Sequence, residues 1–191
     1  MSQLDDKVAV ITGGAQGIGR AIAELFAKRG AHIVIADINQ EKAEATAQAI
    51  AASSGRRAIA VKTNVTDGES AQAMVDRTIA EFGRIDILVN NAGTTRDNLI
   101  VRISDADWDL VLGINLKGAF NCSKAAARPM MKLRSGRIVS ASRSRMATRG
   151  SRDVSVSCSV SRRRAPSKAA VASSLASSGS RCSTSAAVRS S

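Results

Sequence analysis

The ten residues TGGAQGIGRA, at positions 12–21, place four glycines between an apolar run and a helix-forming segment. The run before them, KVAVIT (7–12), is rich in β-branched residues and predicts a strand that is buried on both faces. The apolar residues after them have the spacing of one helical stripe and are Ile18, Ile22, Leu25 and Phe26. Gly30 is the predicted C-terminal cap of this helix. A buried strand, a glycine turn and a helix in immediate succession are compatible with few folds.

The same alternation continues through residue 142. The predicted strands are 7–12, 32–37, 58–62, 85–93 (which runs into a turn) and 137–142. Three later helices are predicted. The first is about 40–52 and is capped by Asn39, and the second begins with the capping box Thr66–Glu69 and ends at Gly83. The third is 104–133, interrupted by Gly113 and Gly118. Strands that alternate with helices of this length predict an α/β fold with a doubly wound parallel sheet.

The glycines suit the binding of a phosphate group. A helix that begins directly after a strand leaves backbone N–H groups unpaired at its positive end, where a pyrophosphate can bind if no side chain intervenes. Gly13 would allow the turn, Gly17 the close approach of the ligand, and Gly19 the packing of helix on strand. The alternative is a purely structural turn.

Asp37 ends the second predicted strand, 18 residues after Gly19. A carboxylate at this position can accept hydrogen bonds from a ribose hydroxyl and would repel a 2′-phosphate. The sequence therefore favours NAD as the cofactor, with NADP as the alternative. The alternative explanation of Asp37 is a solvated acid at the end of a strand.

Charge and composition divide the chain near residue 142. Residues 140–191 contain nine arginines and Lys168 against one acid, Asp153, together with 18 serines and no Phe, Trp or Ile. The rest of the chain is close to balance, with 18 basic and 15 acidic residues. We therefore predict a domain at 1–142 and a disordered Ser/Arg-rich tail at 143–191.

With TGGAQGIG, NNAG (90–93) and GINLKGAF (113–120) in place, the chain resembles the short-chain dehydrogenase/reductase family over about residues 4–142. The stretch 88–120 looks most like the bacterial 3-oxoacyl-(acyl-carrier-protein) reductases. The resemblance implies an incomplete Rossmann-like fold and NAD(P)-dependent hydride transfer to a ketone in fatty acid synthesis. It also implies a small acyl substrate carried on acyl carrier protein, and a homo-oligomer whose interface elements are missing from this chain.

The resemblance also assigns site residues. Those that match the pyrophosphate loop are Thr12, Gly13, Gln16, Gly17, Ile18 and Gly19. Asn64 and Val65 match the pair that flanks the adenine. Asn91, Ala92 and Gly93 match the turn beside the cofactor. Asn115 matches the catalytic asparagine that holds a water in a proton relay.

The remaining catalytic positions do not match the family. In the family, a Tyr donates a proton to the substrate carbonyl, a Lys four residues later lowers the pKa of that Tyr, and a Ser stabilises the oxyanion. This chain contains no Tyr; the Tyr and Lys positions fall on Val156 and Val160. The Ser position falls on Arg143, so Ser142 is the candidate for that role. We therefore expect the chain to be inactive as a reductase.

Three explanations of the tail remain open: a shifted reading frame, a degenerate natural copy, or a function of its own. The corresponding alternatives to the reductase are a catalytically dead NAD-binding module and a protein whose basic tail binds nucleic acid. SRRRA (161–165) could neutralise phosphates, but the tail has no aromatic residue to stack on bases, so we do not expect nucleic acid as a partner.

Cellular location is predicted from what the sequence lacks. No apolar run approaches the roughly 18 residues of a membrane span, and the N-terminus has no signal-peptide pattern. Cys122, Cys158 and Cys182 lie far apart, without metal-ligand spacing. We expect a cytoplasmic protein with reduced thiols, no membrane contact and no metal site.

Overall fold

Five parallel strands form one sheet. The computed structural model describes residues 4–141; Ser142 and the tail 143–191, for which predictions were made above, lie outside these residues. The strands are β1 (Val8–Thr12), β2 (His32–Asp37), β3 (Ala58–Lys62), β4 (Ile87–Asn90) and β5 (Arg137–Ser140). They pair in the order β3-β2-β1-β4-β5. The predicted doubly wound parallel sheet is confirmed.

Helices connect successive strands. They are α1 (Gly17–Lys28), α2 (Gln40–Ser54), α3 (Gly68–Phe82), α4 (Asp105–Leu112) and α5 (Gly118–Lys132), with a 3₁₀ turn at Ile100–Arg102 before α4. Within residues 4–141, no helix is both long enough and apolar enough to cross a membrane.

The interruptions predicted at Gly113 and Gly118 coincide with the start of a π-helical turn and the start of α5, but the backbone stays helical throughout. Gly113 and Gly118 both have right-handed helical angles, and the residues Gly113–Lys117 form a π-helical turn between the two helices. The N–H of Gly118 donates to the carbonyl of Gly113, five residues earlier, as this wider turn requires. Glycine lowers helix propensity, but here the backbone stays helical.

The sheet is covered on both faces because successive side chains of a strand point to opposite sides. Val8 and Val10 of β1 pack into a core with buried residues of α3 and α5, whereas Ala9 and Ile11 pack into a second core with α1 and α2. Cys122 belongs to the first core, and its burial raises the pKa of the thiol to about 11, so the thiol is neutral at physiological pH.

The buried face of α1 differs from the predicted stripe. Ile18 and Leu25 are about half exposed, and the residues that are buried are Gly19, Ala23 and Ala27. These three small residues lie four positions apart and so form one line along the helix. They allow the helix axis to approach the sheet closely, and the larger residues Ile22 and Phe26 pack at the side of this contact.

The starts of α2 and α3 show one cap as predicted and one shifted by a residue. The side chain of Asn39 accepts a hydrogen bond from the N–H of Lys42, as predicted. In α3 the N-cap is Asp67, which accepts from two N–H groups of the first turn, whereas the predicted cap Thr66 donates its hydroxyl to Asn64. A carboxylate at the N-cap also interacts favourably with the helix dipole.

A buried carboxylate joins two strands at the edge of the sheet opposite the glycine turn. Asp86 is 4% exposed, accepts hydrogen bonds from the N–H of Val8 and from the guanidinium of Arg84, and lies 3.6 Å from the ammonium of Lys7. Burial alone would raise the pKa of Asp86. The hydrogen bonds from Arg84 and Val8 and the positive charges outweigh burial and lower this pKa.

We expect Asp86→Asn to lower the free energy of unfolding by about 1–3 kcal/mol at pH 7, because it weakens charge-assisted bonds in a buried setting. Since the folded-state pKa is lowered, this stabilisation is present above the pKa of the unfolded chain and is lost as the pH falls through the folded value. The difference between the two proteins should therefore shrink in acid. Urea denaturation at several pH values tests this. Asp76→Asn, at an exposed position of α3, is the control, and a difference independent of pH would contradict the prediction.

Candidate functional site

A cleft of about 540 Å³ borders the carboxyl ends of β1, β2 and β4. β2 and β4 lie on opposite sides of β1. The chain therefore leaves β1 toward one side of the sheet and leaves β4 toward the other. Doubly wound folds bind ligands in the crevice at this change of direction. The predicted site residues that line the cleft are Gly13, Gln16, Gly17, Ile18, Asp37, Asn64, Val65, Asn91, Ala92, Gly93 and Asn115. The fold thus gathers residues from distant segments of the chain into one cleft.

Thr12, by contrast, lies behind the wall of the cleft. It is 1% exposed, its hydroxyl donates to the carbonyl of Val89, and the same oxygen accepts from the N–H groups of Asn91 and Ala92. The side-chain amide of Asn91 returns two hydrogen bonds, to the carbonyls of Thr12 and Gly13. Thr12 and Asn91 therefore lock the glycine turn to the turn that follows β4.

Gly19 also lies behind this wall, and no larger residue fits there. An added Cβ would lie within 2.5 Å of the side-chain nitrogen of Asn91 and closer still to the carbonyl oxygen of Gly13. The first turn of α1 therefore rests directly on the locked pair of turns. This contact fixes where the helix begins relative to the cleft.

The start of α1 is open to an anion. Its N-cap, Gln16, makes no side-chain capping hydrogen bond, and the first turn contains no acidic residue. Gly17 lines the cleft with φ +59, and a Cβ added there would meet no atom within 4 Å, so a ligand can approach this backbone. Unpaired N–H groups at a helix start, with the positive end of the dipole, suit a pyrophosphate.

Asp37 lies beside the loop that precedes α1 (13–16) and fixes it through a hydrogen bond. One carboxylate oxygen accepts the N–H of Ala15 at 3.1 Å, and the other accepts the N–H of Asn39 at 3.1 Å. A carboxylate has about four acceptor positions, so each oxygen retains capacity for a further donor such as a ribose hydroxyl. Asp37 can therefore support the loop and bind a sugar at the same time.

The segment after β3 contributes Thr63, Asn64 and Val65 to the wall of the cleft. The side-chain amide of Asn121, on α5, donates to the carbonyls of Val65 and Thr66 at 3.0 and 3.1 Å. Gly118 lies against Val65 so closely that an added Cβ would be 2.7 Å from its side chain. α5 thus fixes Val65, and the N–H of Asn64, the other residue predicted to flank the adenine, donates to the hydroxyl of Ser70 on α3 at 2.9 Å.

Asn115 lines the cleft from the π-helical turn. Its side-chain oxygen accepts from the N–H of Thr94 at 2.9 Å, and its side-chain nitrogen donates to the carbonyl of Thr94 at 3.0 Å. Both ends of the amide are therefore occupied by one backbone segment of the cleft wall. The other predicted catalytic residue, Ser142, lies outside the described residues, and the last described residues of the wall are Ser140 and Ala141.

These features fit a nicotinamide dinucleotide. An uncapped helix start suits the pyrophosphate, a carboxylate with spare acceptor capacity suits the ribose, and Asn115 lines the same cleft. The size of the cleft is typical of small-molecule sites.

Sequence reasoning missed two residues that shape the cleft without lining it. Asn121 holds the segment that contains Val65, and Thr46, on α2, donates its hydroxyl to the carbonyl of Ala15 at 2.8 Å. A signal for Thr46 was present in the sequence, since it shares the buried face of α2 with Ala43, Ala47 and Ile50. A polar residue on an apolar face needs a hydrogen-bond partner, and here the partner is the glycine loop.

Comparison with known proteins points to one family. A family model described as short chain dehydrogenase matches residues 7–177. The chain is 42% identical over 141 residues to 3-oxoacyl-(acyl-carrier-protein) reductase FabG of Chlamydia muridarum, covering 74% of this chain and 57% of that protein. It is 46% identical over 135 residues to the protein of the same name from Escherichia coli K12, covering 71% and 54%.

A solved structure shares the fold. It is described as a short-chain alcohol dehydrogenase from Sinorhizobium meliloti 1021, and it superposes with a TM-score of 0.68 at 36% sequence identity. The superposition covers 72% of this chain and 54% of that one. The chain thus spans somewhat more than half the length of the relatives it matches.

We expect Gly19→Ala to lower the free energy of unfolding by about 1–3 kcal/mol, because the added methyl group overlaps the carbonyl of Gly13 and the backbone must move. Gly68→Ala, at the start of α3, adds the same methyl group in open space and is the matched control. Urea denaturation of both variants measures the difference. Equal stabilities would mean that α1 does not need its close contact with the turns.

Proposed function

The chain belongs to the short-chain dehydrogenase family, and from this premise we propose that it binds NAD(H) in the manner of a 3-oxoacyl-(acyl-carrier-protein) reductase. The observation that carries the proposal is the placement of Asp37 beside the uncapped start of α1 in a single cleft. The names and sequence identities of the relatives support a 3-oxoacyl group on acyl carrier protein as the substrate class.

Asp37 is the reason for proposing NAD rather than NADP. Its carboxylate borders the same cleft as Gly17 and accepts a hydrogen bond from the N–H of Ala15, in the loop before α1. A ribose next to a pyrophosphate at the start of α1 would therefore contact this carboxylate. Hydroxyl groups can donate to its oxygens, whereas a 2′-phosphate would bring a second negative charge against the carboxylate.

A reacting carbonyl would lie in the part of the cleft that Asn115 lines. A bound nicotinamide supplies or accepts the hydride, and the protein must supply a proton donor within about 3 Å of the carbonyl oxygen. Among the described residues that line the cleft, Asp37 is the one titratable side chain, and it lies at the ribose end. Asn115 is an amide that does not titrate and is engaged with Thr94.

We therefore propose that this chain binds the cofactor but reduces 3-oxoacyl groups poorly. The sequence contains no Tyr, the residue that the family resemblance requires as the proton donor. General acid catalysis typically contributes about 10²–10⁴-fold to a rate, and positioning contributes further. Cofactor binding depends on β1, β2 and the start of α1, which are all present. We therefore expect the chain to bind the cofactor although it turns the substrate over slowly.

We expect the protein to bind NADH more tightly than NADPH, and Asp37→Ala to narrow this preference. Loss of hydrogen bonds to a charged group should weaken NADH binding by about tenfold, while removal of the repulsion offsets part of the loss for NADPH. Asp37→Asn keeps an acceptor without the charge and should also narrow the preference. Fluorescence titration of both cofactors measures the ratio.

Asp76→Ala removes an exposed carboxylate outside the cleft and is the control for net charge. Its ratio of NADH to NADPH affinity should equal that of the unmodified protein. Equal or reversed affinities in the unmodified protein would refute the assignment of Asp37.

We expect turnover of acetoacetyl-CoA at least about 10²-fold below that of the Escherichia coli relative measured in parallel, with either NADH or NADPH. The oxidation of the reduced cofactor is followed by absorbance at saturating substrate. A rate within tenfold of the relative would show that another residue of this chain donates the proton.

A further inference from the structure

Thr46 makes an unusual contact for a buried helical threonine. It is 3% exposed in the middle of α2, and its hydroxyl donates to the carbonyl oxygen of Ala15 at 2.8 Å, 31 residues away in the sequence. A buried threonine in a helix commonly donates to a carbonyl of its own preceding turn. Thr78 does so in α3, where its hydroxyl donates to the carbonyl of Met74 at 2.8 Å. Thr46 therefore holds the glycine loop rather than its own helix.

The loop is held at Ala15 from two directions. The N–H of Ala15 donates to one oxygen of Asp37, while the carbonyl of Ala15 accepts from Thr46. The other oxygen of Asp37 accepts the N–H of Asn39, whose side chain caps α2. We call Asp37 and Thr46 together the Ala15 clamp. The clamp closes a ring of hydrogen bonds through the loop, the end of β2 and α2.

The clamp acts on the residues that begin α1. The peptide bonds are trans, so the N–H of Gln16 points opposite to the carbonyl of Ala15. Because Thr46 anchors this carbonyl, it directs the Gln16 N–H away from α2. Gly13 precedes this peptide in the chain and Gly17 follows it. Both have positive φ angles, which glycine adopts more readily than other residues do. Asn91 already holds the carbonyl of Gly13, whereas the peptide between Ala15 and Gln16, further along the loop, is held by the clamp.

We propose that Thr46 is a positioning residue for the pyrophosphate-binding loop. It touches no part of the cleft itself and acts by fixing the peptide between Ala15 and Gln16. Together with Asp37 it couples the ribose end of the site to the pyrophosphate end. The inference rests on the proposed binding of NAD(H), and the test below separates the two.

The test compares Thr46→Val, which keeps the shape but loses the hydroxyl, with Thr46→Ser, which keeps the hydroxyl. Thr78→Val is the matched control, since it removes an equally buried hydroxyl that does not reach the loop. NADH affinity is measured by fluorescence titration, and amide hydrogen exchange is followed in a peptide that covers 13–19 without cofactor. If Thr46→Val does not fold, Thr46→Ala and Thr78→Ala replace the valine pair.

We expect Thr46→Val to weaken NADH binding by about five- to tenfold, corresponding to one lost hydrogen bond, and to speed exchange over 13–19. Thr46→Ser and Thr78→Val should both bind NADH within twofold of the unmodified protein. Equal affinities in Thr46→Val and Thr78→Val, or a serine variant as weak as the valine variant, would overturn the inference.

The unmodified protein distinguishes the two proposals. If it does not bind NADH, the proposed function fails, and the exchange data alone decide whether Thr46 anchors the loop. Faster exchange over 13–19 in Thr46→Val, with no change in Thr78→Val, supports the anchor. Unchanged exchange in both variants refutes it.

Discussion

The contact between the first turn of α1 and the two turns beneath it sets the geometry of the whole cleft. Gly19 lies on the carbonyl of Gly13 and the amide of Asn91, and Thr12 and Asn91 tie those two turns together. If the helix moved outward by the width of a methyl group, its unpaired N–H groups would leave the position that the cleft requires. The loop, the helix and the end of β4 therefore have to be treated as one rigid unit.

The sheet could be predicted because its strands are short, most of them are largely apolar, and strong helix signals separate them. β1, β2 and β3 lie within the predicted strands 7–12, 32–37 and 58–62. The buried face of α1 could not be predicted from hydrophobic spacing. There the decisive quantity is the distance between helix and sheet, which favours Gly19, Ala23 and Ala27 over the larger Ile18 and Leu25. Periodicity records which side chains are apolar but not how close two backbones come.

The candidate site also has features that the sequence predicts and features that it does not. Eleven of the residues singled out by motifs and family resemblance line the cleft, whereas Thr12 and Gly19 lie behind its wall. Their binding roles stay predictions. The supporting contacts, Thr46 to Ala15 and Asn121 to Val65, link segments that have no relation in the sequence. Only the packing of α2 and α5 against the sheet creates them. The π-helical turn that contains Asn115 was likewise hidden, since its glycines suggested a break and the backbone remained helical.

The Ala15 clamp has a consequence for the order in which the chain can assemble. Its hydrogen bonds join residues only 22 and 31 positions apart, all within the first quarter of the sequence. The bonds between Thr12 and Asn91 span 79 positions. Contacts of short sequence separation close with less loss of chain entropy. On a chain that emerges from the ribosome N-terminus first, all residues of the clamp are synthesised before β4, and the bonds to Asn91 can form only afterwards.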